Sequence, residues 1–493
     1  MRGMTLEKIA KACGGKLFLK TALKEDELSR EAASVVIDSR KAEAGGIFVA
    51  TKGERVDGHS FIGQVLEKGA LGVICEKKPS DEAGNYIVVD DSFEAIKKLA
   101  GYYKSLFDIP TIGIVGSMGK TSTKEMVAQV LSRKYRVHKT EGNFNNEIGV
   151  PLTIFGLRDE HEISVIEMGI SEFGEMSRLS EIVKPDSVVF TNVGPCHLEQ
   201  LNDLDGVFKA KSEVFDRLTG KGRVFLNGDD PKLCLVDKVK GKEPVFYGIV
   251  NTKELDIYAD NIVNRQLKGV DARFHIAKPV GSGFEKDSKQ QTGDPGFLEE
   301  CFDVHIPLPG EHSVSNALAG CAVGVYYGLS AEEIRQGIGN VRGLKGRMNP
   351  IETKDYLIID DCYNANPKSM MNALALLSET KDETGIRTVS VLGDMYELGE
   401  DSDKLHREVG RFAAEHNIDL ILIVGSNSKS MYEEALEARK KEACEGSVLY
   451  FEDTDSLIEG LKTDNPFKKG DMILIKASHA MQFERVVGFL SPE

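Results

Sequence analysis

Residues 111–122 read Thr-Ile-Gly-Ile-Val-Gly-Ser-Met-Gly-Lys-Thr-Ser. The apolar run Thr111–Val115, just after Pro110, predicts a buried strand. Beyond it Met126, Val127, Val130 and Leu131 recur at helical spacing. Between the two lies a glycine turn, Gly116-Ser117-Met118-Gly119-Lys120-Thr121-Ser122. Strand, glycine turn and helix are what a phosphate-binding loop needs. Glycines let backbone N–H groups close around phosphate oxygens, and the helix N-terminus adds its partial positive charge. Lys120 has the reach for β- and γ-phosphates, and the Thr121 hydroxyl suits a Mg²⁺ ion. The spacing is GxxGKT rather than GxxxxGK[ST], because Ile114 stands five places before Gly119. The letters alone therefore also admit an ordinary strand-to-helix turn with an exposed lysine.

Working outward, Ile163–Glu167 (ISVIE) predicts a second strand with a carboxylate at its C-terminal end. Beside a phosphate loop that is where a further Mg²⁺ ligand belongs; the other reading is a charged strand end in solvent. His197 follows the strand run Val188–Thr191 in TNVGPCHLE, which leaves a structural role and a metal or phosphate role equally open. Lys211, in FKAKSEVF, reads from pattern alone as part of a solvated helix face.

Around this centre the chain of 493 residues divides into three blocks, 1–100, 101–345 and 346–493. The first holds short strand runs, Val35–Asp38, Ile47–Thr51, Leu71–Cys75 and Tyr86–Val89, with one helical pattern at Phe61–Lys68. The second alternates strands and helices, which predicts a parallel α/β sheet. It also carries Val224–Asn227, a polar Gly-rich stretch at 279–300 expected to be an exposed loop or hairpin tip, and a helix of small residues over Ser313–Tyr327. The third repeats the alternation with strand runs at Leu357–Asp360, Val389–Leu392, Leu420–Val424, Val448–Phe451 and Met472–Lys476.

Composition narrows the class. Apolar residues at 41% and charged residues at 28% suit a globular enzyme, and 62 basic against 78 acidic side chains leave a net charge of −16. Such a chain has no global field for nucleic acid or an anionic membrane, so an anionic ligand must be held locally. Eight cysteines, none in a CxxC pair, are too sparse for a disulfide scaffold and point to a reducing cytoplasm. Met1–Cys13 reads as an amphipathic helix rather than a signal peptide, and no run of 18 apolar residues predicts a membrane span.

Many short motifs, in order, carry a resemblance to the Mur ligases, the ATP-dependent amide-forming ligases of peptidoglycan assembly. They are Asp38-Ser39-Arg40 and GERVDGH at 53–59, GSMGKTS at 116–122, GNFNNEIGVP at 142–151, Glu167-Met168-Gly169 and NVGPCHLE at 192–199. Lys211, PGEHSVSNA at 309–317, Gly346-Arg347, DDCYNANPKSM at 360–370 and LGDMYELG at 392–399 continue the series. The chain lacks a DNPR-type motif for meso-diaminopimelate, and YNANPKSM with LGDMYELG resembles the member that adds D-Ala-D-Ala. Folylpolyglutamate synthetases share the last two domains and would lack the first-block motif.

The resemblance implies a three-domain α/β protein: a small UDP-binding domain, a central P-loop parallel-sheet ATPase domain and a Rossmann-like domain that closes over the site. It implies ATP and Mg²⁺ as cofactors, UDP-MurNAc-tripeptide and D-Ala-D-Ala as substrates, no nucleic-acid or membrane partner, and a cytoplasmic monomer. Lys120, Thr121, Glu167 and His197 would serve the triphosphate and metal, and Lys211 falls on the family's carbamylated lysine. Asn316 would approach the adenine, and Arg347 and Asp361 would reach ATP from the closing domain. Ser39, Arg40, His59, Asn143, Asn146, Tyr363, Asn364, Asn366 and Asp394 fall on substrate-side motifs. Ser313 replaces the family's asparagine, Met118 stands where Ser or Asn is common, and the late KGS segment reads Lys476-Ala477-Ser478-His479. Another Mur-type ligase with a different amino acid, or a P-loop regulatory NTPase, are the rival functions.

Overall fold

The structure is a computed structural model that describes residues 1–20, 28–53, 56–80, 83–249, 254–281, 300–442 and 446–491. Three sheets follow one another along the chain. The first contains β1 (Lys16–Phe18), β2 (Val35–Val36), β3 (Ile47–Val49), β4 (Gly72–Cys75) and β5 (Tyr86–Val88) in the order β1-β5-β4-β3-β2. All its pairs are parallel except β1 with β5.

The central sheet comprises β6 (Thr111–Val115), β7 (Val137–Lys139), β8 (Ile163–Glu167), β9 (Ser187–Phe190), β10 (Val224–Asn227), β11 (Val245–Gly248), β12 (Ile257–Asn264), β13 (Val270–Ile276) and β14 (Glu300–Ile306). Their order is β14-β13-β12-β11-β10-β9-β6-β8-β7. The chain passes from β8 to β9 across β6, so the crevice at a topological switch point opens at the C-terminal end of the phosphate-loop strand.

The expected parallel sheet carries an antiparallel wing, β12-β13-β14. The alternation in β13 shows why: Val270, Ala272, Phe274 and Ile276 are buried and the residues between them are not. One covered face and one wet face is the habit of antiparallel strands. The polar stretch at 279–300 connects β13 to β14, and its residues 282–299 lie outside the described residues.

The third sheet is built from β15 (Asn349–Glu352), β16 (Leu357–Asp360), β17 (Thr388–Gly393), β18 (Leu420–Val424), β19 (Ser447–Phe451) and β20 (Met472–Lys476), ordered β15-β16-β20-β17-β18-β19. It is parallel except for the edge strand β15.

A helix that the sequence reading passed over, Ser92–Ser105, runs through residue 100. Asp91 caps it by accepting from the N–H groups of Phe93 and Glu94. Its Ile96, Leu99 and Tyr103 join one apolar cluster with Val115, Ile166 and Met168 of the central unit. Tyr103 donates its hydroxyl to the Leu157 carbonyl at 2.8 Å. The first sheet is thus tied to the central one through a shared core rather than a loose linker. The phosphate-loop helix, Lys120–Leu131, buries Met126, Val127, Val130 and Leu131. Against it packs the small-residue helix His312–Tyr326, where a Cβ on Gly320 would stand 3.1 Å from Met126. That close crossing carries Asn316 to the start of the phosphate-loop helix.

Candidate active site

Gly116 leaves β6 with φ +145°, and a Cβ there would lie 2.0 Å from the Thr191 hydroxyl. Only glycine fits so tight an exit. The segment after β9 clamps the loop from below. Ser117 N–H donates to the Asn192 carbonyl at 3.0 Å, Met118 N–H to Asn192 Oδ1 at 2.9 Å, and Thr191 Oγ1 to the Met118 carbonyl at 2.6 Å. Lys120 Nζ lies across its own loop, donating to the carbonyls of Gly116 at 3.0 Å and Ser117 at 3.3 Å. It is partly covered rather than an exposed lysine. Burial pushes its pKa down, opposed by the Glu167 carboxylate.

Glu167 sits at the end of β8 with 1% of its surface exposed, so the reading of a solvated strand end does not hold. Thr121 Oγ1 donates to its Oε1 at 3.1 Å and Asn145 Nδ2 to the same oxygen at 2.8 Å. Its Oε2 is buried without a hydrogen bond, 3.8 Å from the ammonium of Lys124. A carboxylate held through one oxygen, its other oxygen bare and next to a threonine hydroxyl, fits a hard cation such as Mg²⁺. Among the described residues no three His, Cys, Asp or Glu side chains form a ready-made metal cage. Thr121 and Glu167 alone would therefore leave most of a metal's coordination to other ligands.

Lys211 is 1% exposed on the helix Leu204–Asp216, so it is not part of a solvated face. Burial, reinforced by the positive charge of Lys120, pushes its pKa down to about 8. His197 opens the short helix Leu198–Leu201 in a left-handed conformation, φ +50°. Its Nδ1 lies 3.2 Å from Glu397 Oε2 of the third unit. Burial lowers its pKa; Glu397 opposes this, while Lys211 and Lys120 reinforce it. The charge of Lys120 thus reaches both Lys211 and His197, and that of Lys211 reaches His197.

Asn316 accepts from Thr123 Oγ1 at 2.8 Å. It lines a cavity with Ser122, Glu125, His312 and, from the segment leading into the third unit, Arg342 and Arg347. Ser313 turns away, donating to the carbonyls of Leu308 and Gly310. The substitution at 313 therefore tightens its own turn. Arg347 places its guanidinium 4.2 Å from the Tyr363 ring centroid, and Tyr363 in turn stacks on His479 at 5.4 Å. Asp361 is committed to a buried ion pair with Lys476 at 2.6 Å and accepts from Met348 N–H. Lys476 also holds the Asn364 carbonyl, a role its place in the late KGS segment did not disclose.

The remaining expected residues divide. Asn366 caps the helix Pro367–Thr384 and brings its Nδ2 to 3.5 Å from Met118 Sδ, so the third unit touches the phosphate loop. Asn146 Oδ1 accepts from the N–H groups of Ile148 and Gly149 at the start of the helix Gly149–Ile154, and Asn143 is exposed. Asp394 is 2% exposed and accepts from Ser428 N–H. On the first sheet Ser39 and Arg40 follow β2 and His59 follows β3. Arg40 clamps Asp38 with its side chain 88% exposed. His59 has both ring nitrogens engaged, Nδ1 with Asp57 at 2.7 Å and Nε2 accepting from Glu76 N–H at 3.0 Å. Glu54 and Arg55 of the GERVDGH motif lie outside the described residues. Asn145 and Lys124 are the residues missed by sequence reasoning. Both stand inside quoted motifs or next to them, and only their approach to Glu167 marks them.

Three family descriptions match in chain order: "Mur ligase family, catalytic domain" over residues 31–103, "Mur ligase middle domain" over 114–324 and "Mur ligase, glutamate ligase domain" over 346–479. The UDP-N-acetylmuramoyl-tripeptide–D-alanyl-D-alanine ligase of Bacillus subtilis is 33% identical over 460 residues, covering 92% of each chain. Among solved structures, MurF from Acinetobacter baumannii superposes with a TM-score of 0.81 at 31% identity, over 99% of this chain and 98% of that one. MurF ligase from Thermotoga maritima in complex with ADP gives 0.73 at 27% identity, over 94% and 98%.

Proposed function

The chain belongs to the Mur ligase family, and from that premise we propose that it joins D-alanyl-D-alanine to UDP-N-acetylmuramoyl-tripeptide with conversion of ATP to ADP and phosphate. The observation that carries the reading is Glu167, buried at the head of the phosphate loop with one oxygen held by Thr121 and Asn145 and the other bare. Relatives with that named activity match over nearly the whole chain.

Making an amide from a carboxylate requires activation. The substrate carboxylate attacks the γ-phosphorus of ATP, ADP leaves, and an acyl phosphate forms. The amine of D-Ala-D-Ala then adds to the acyl carbon, loses a proton, and expels phosphate. Carboxylate and triphosphate repel each other, so positive charge must bring them together. In this reading the N–H groups at the start of the phosphate-loop helix and Lys120 bind the phosphates, Thr121 and Glu167 would hold Mg²⁺, and His197 and Lys211 would complete that side of the site. Bound Mg²⁺ supplies Lewis-acid stabilisation of charge on the transferred phosphoryl oxygens. Asn316 faces the adenine pocket, and Arg347, carried on Tyr363, approaches from the third unit.

Lys211 is read as a carbamate. Its Nζ must be neutral to bond the carbon of CO₂ with release of a proton. A pKa of about 8 leaves roughly a tenth of the side chains neutral at pH 7, against under a thousandth at the ordinary lysine value. The seven described cysteines are all free, which supports a reducing cytoplasm; no described helix is long and apolar enough to cross a membrane.

The test is ADP release from ATP with UDP-MurNAc-tripeptide, in the presence and absence of D-Ala-D-Ala. Turnover that needs both co-substrates is expected. Hydrolysis indifferent to the amine would favour a regulatory NTPase. Turnover with a different amino acid in place of the dipeptide would move the chain to another Mur-type activity.

A further inference from the structure

Lys124 lies one turn beyond the phosphate loop and is completely buried. A buried ammonium is costly unless it is paired. Its Nζ stands 3.1 Å from Glu125 Oε1 and 3.8 Å from Glu167 Oε2, and donates to the Gly142 carbonyl at 3.3 Å. Glu125 has a second cation, because Lys139 Nζ holds its other oxygen at 2.5 Å. For Glu167, Lys124 is the one ion-pair partner among the described residues. The distance is decisive. At 3.8 Å an ammonium attracts a carboxylate strongly in a buried setting, but is too far to form a hydrogen bond with it. Lys124 therefore neutralises Glu167 without using the lone pairs of Oε2.

We propose that Lys124 is a positioning residue for the metal site, the internal counter-cation of Glu167. It balances and aims the carboxylate when no divalent cation is present, and opposes the cation by like-charge repulsion when one arrives. Affinity for the metal is thereby held down at the oxygen that receives it. The inference rests on the reading of Glu167 as a Mg²⁺ ligand given above.

The experiment is calorimetric titration of ADP binding across a series of Mg²⁺ concentrations, using the full-length wild-type chain and Lys124→Met. The half-saturating Mg²⁺ concentration should fall by roughly tenfold in the variant. In a Glu167→Gln background, Lys124→Met should leave the Mg²⁺ dependence as it is, because the coupling passes through that carboxylate. An unchanged Mg²⁺ dependence in Lys124→Met overturns the proposal, as does the same shift with Glu167→Gln, and Lys124 is then a packing partner of Glu125 and Gly142. Should Lys124→Met fail to fold, Lys124→Gln, which can still donate to Gly142, takes its place with the same expectations. Wild-type protein whose ADP binding ignores Mg²⁺ would instead overturn the reading of the site itself, and this proposal with it.

Discussion

The side-chain amide of Asn145 donates to Glu167 Oε1 at 2.8 Å, beside the Thr121 hydroxyl at 3.1 Å. A carboxylate at the end of β8 is thus aimed from two directions, one the phosphate-loop helix and the other the GNFNNE segment. Asn145→Ala removes one aiming bond and leaves the carboxylate in place. Turnover at saturating ATP should fall by roughly 10- to 100-fold, the usual effect of losing a group that orients a metal ligand. The thermal midpoint should hardly move, since Asn145 is only partly buried. Wild-type turnover would remove Asn145 from the site.

Lys120→Ala should reduce ligation by about 10²–10³ or more, the effect of removing one preorganised charge from a transition state. Among the described residues its ammonium bonds only carbonyls of its own loop, so the fold should survive. Circular dichroism and ADP titration together check this: native spectrum, weakened ADP. Near-normal turnover would sink the assignment of the phosphate site.

For Lys211→Ala the expectation is near-complete loss of activity with partial recovery in acetate or another short carboxylate, and none with amines. The exposed Lys209, which rests 5.9 Å over the Phe173 ring, is the control, and Lys209→Ala should be mild. A fully active Lys211→Ala enzyme would end the carbamate reading.

Among the described residues the Arg40 side chain hydrogen-bonds only Asp38, and it is 88% exposed. Arg40→Ala should raise KM for the UDP-linked substrate while leaving KM for ATP and the thermal midpoint nearly unchanged. Equal effects on both Michaelis constants would argue against a separate UDP-binding module.

His138 supplies a pH signature of the fold. Its Nδ1 meets Ser164 Oγ at 2.9 Å and its Nε2 the Thr153 carbonyl at 2.9 Å. Burial, with help from His161, pushes its pKa from 6.5 down to about 3. Below 6.5 the unfolded chain takes up a proton that the folded chain refuses, so this residue erodes stability as pH falls through that window. The loss is at most about 1.4 kcal/mol per pH unit. Between pH 6.5 and 4, His138→Gln should show a shallower decline in unfolding free energy than wild type. Parallel curves would contradict the assignment.

The three alternating blocks and the phosphate loop were legible because their signals are local. Thr111–Val115, Ile163–Glu167 and the central strands of the third block are buried runs bounded by turns, and the structure places strands there. The helix Ser92–Ser105 was harder, because Ile96, Leu99 and Tyr103 are spread among lysines and glycine and find their partners in the central unit. Polar site residues were harder still. His59 and Asp394 stand in quoted motifs, yet their side chains are consumed by Asp57, Glu76 and Ser428 within their own domains.

By itself the sequence determined the strands and helices around the phosphate loop and in the third block, the place of that loop, and the family resemblance. Periodicity, glycine placement and motif order are properties of neighbouring residues, and a linear reading captures them. Only the tertiary structure decided which ionisable groups lose their water and which neighbours they meet. Lys124 and Lys209 are both lysines on helices, yet one is sealed between Glu125 and Glu167 and the other lies in solvent over Phe173. The free energy of a charge depends on what surrounds it in three dimensions, and helix packing, not the letter K, sets those surroundings.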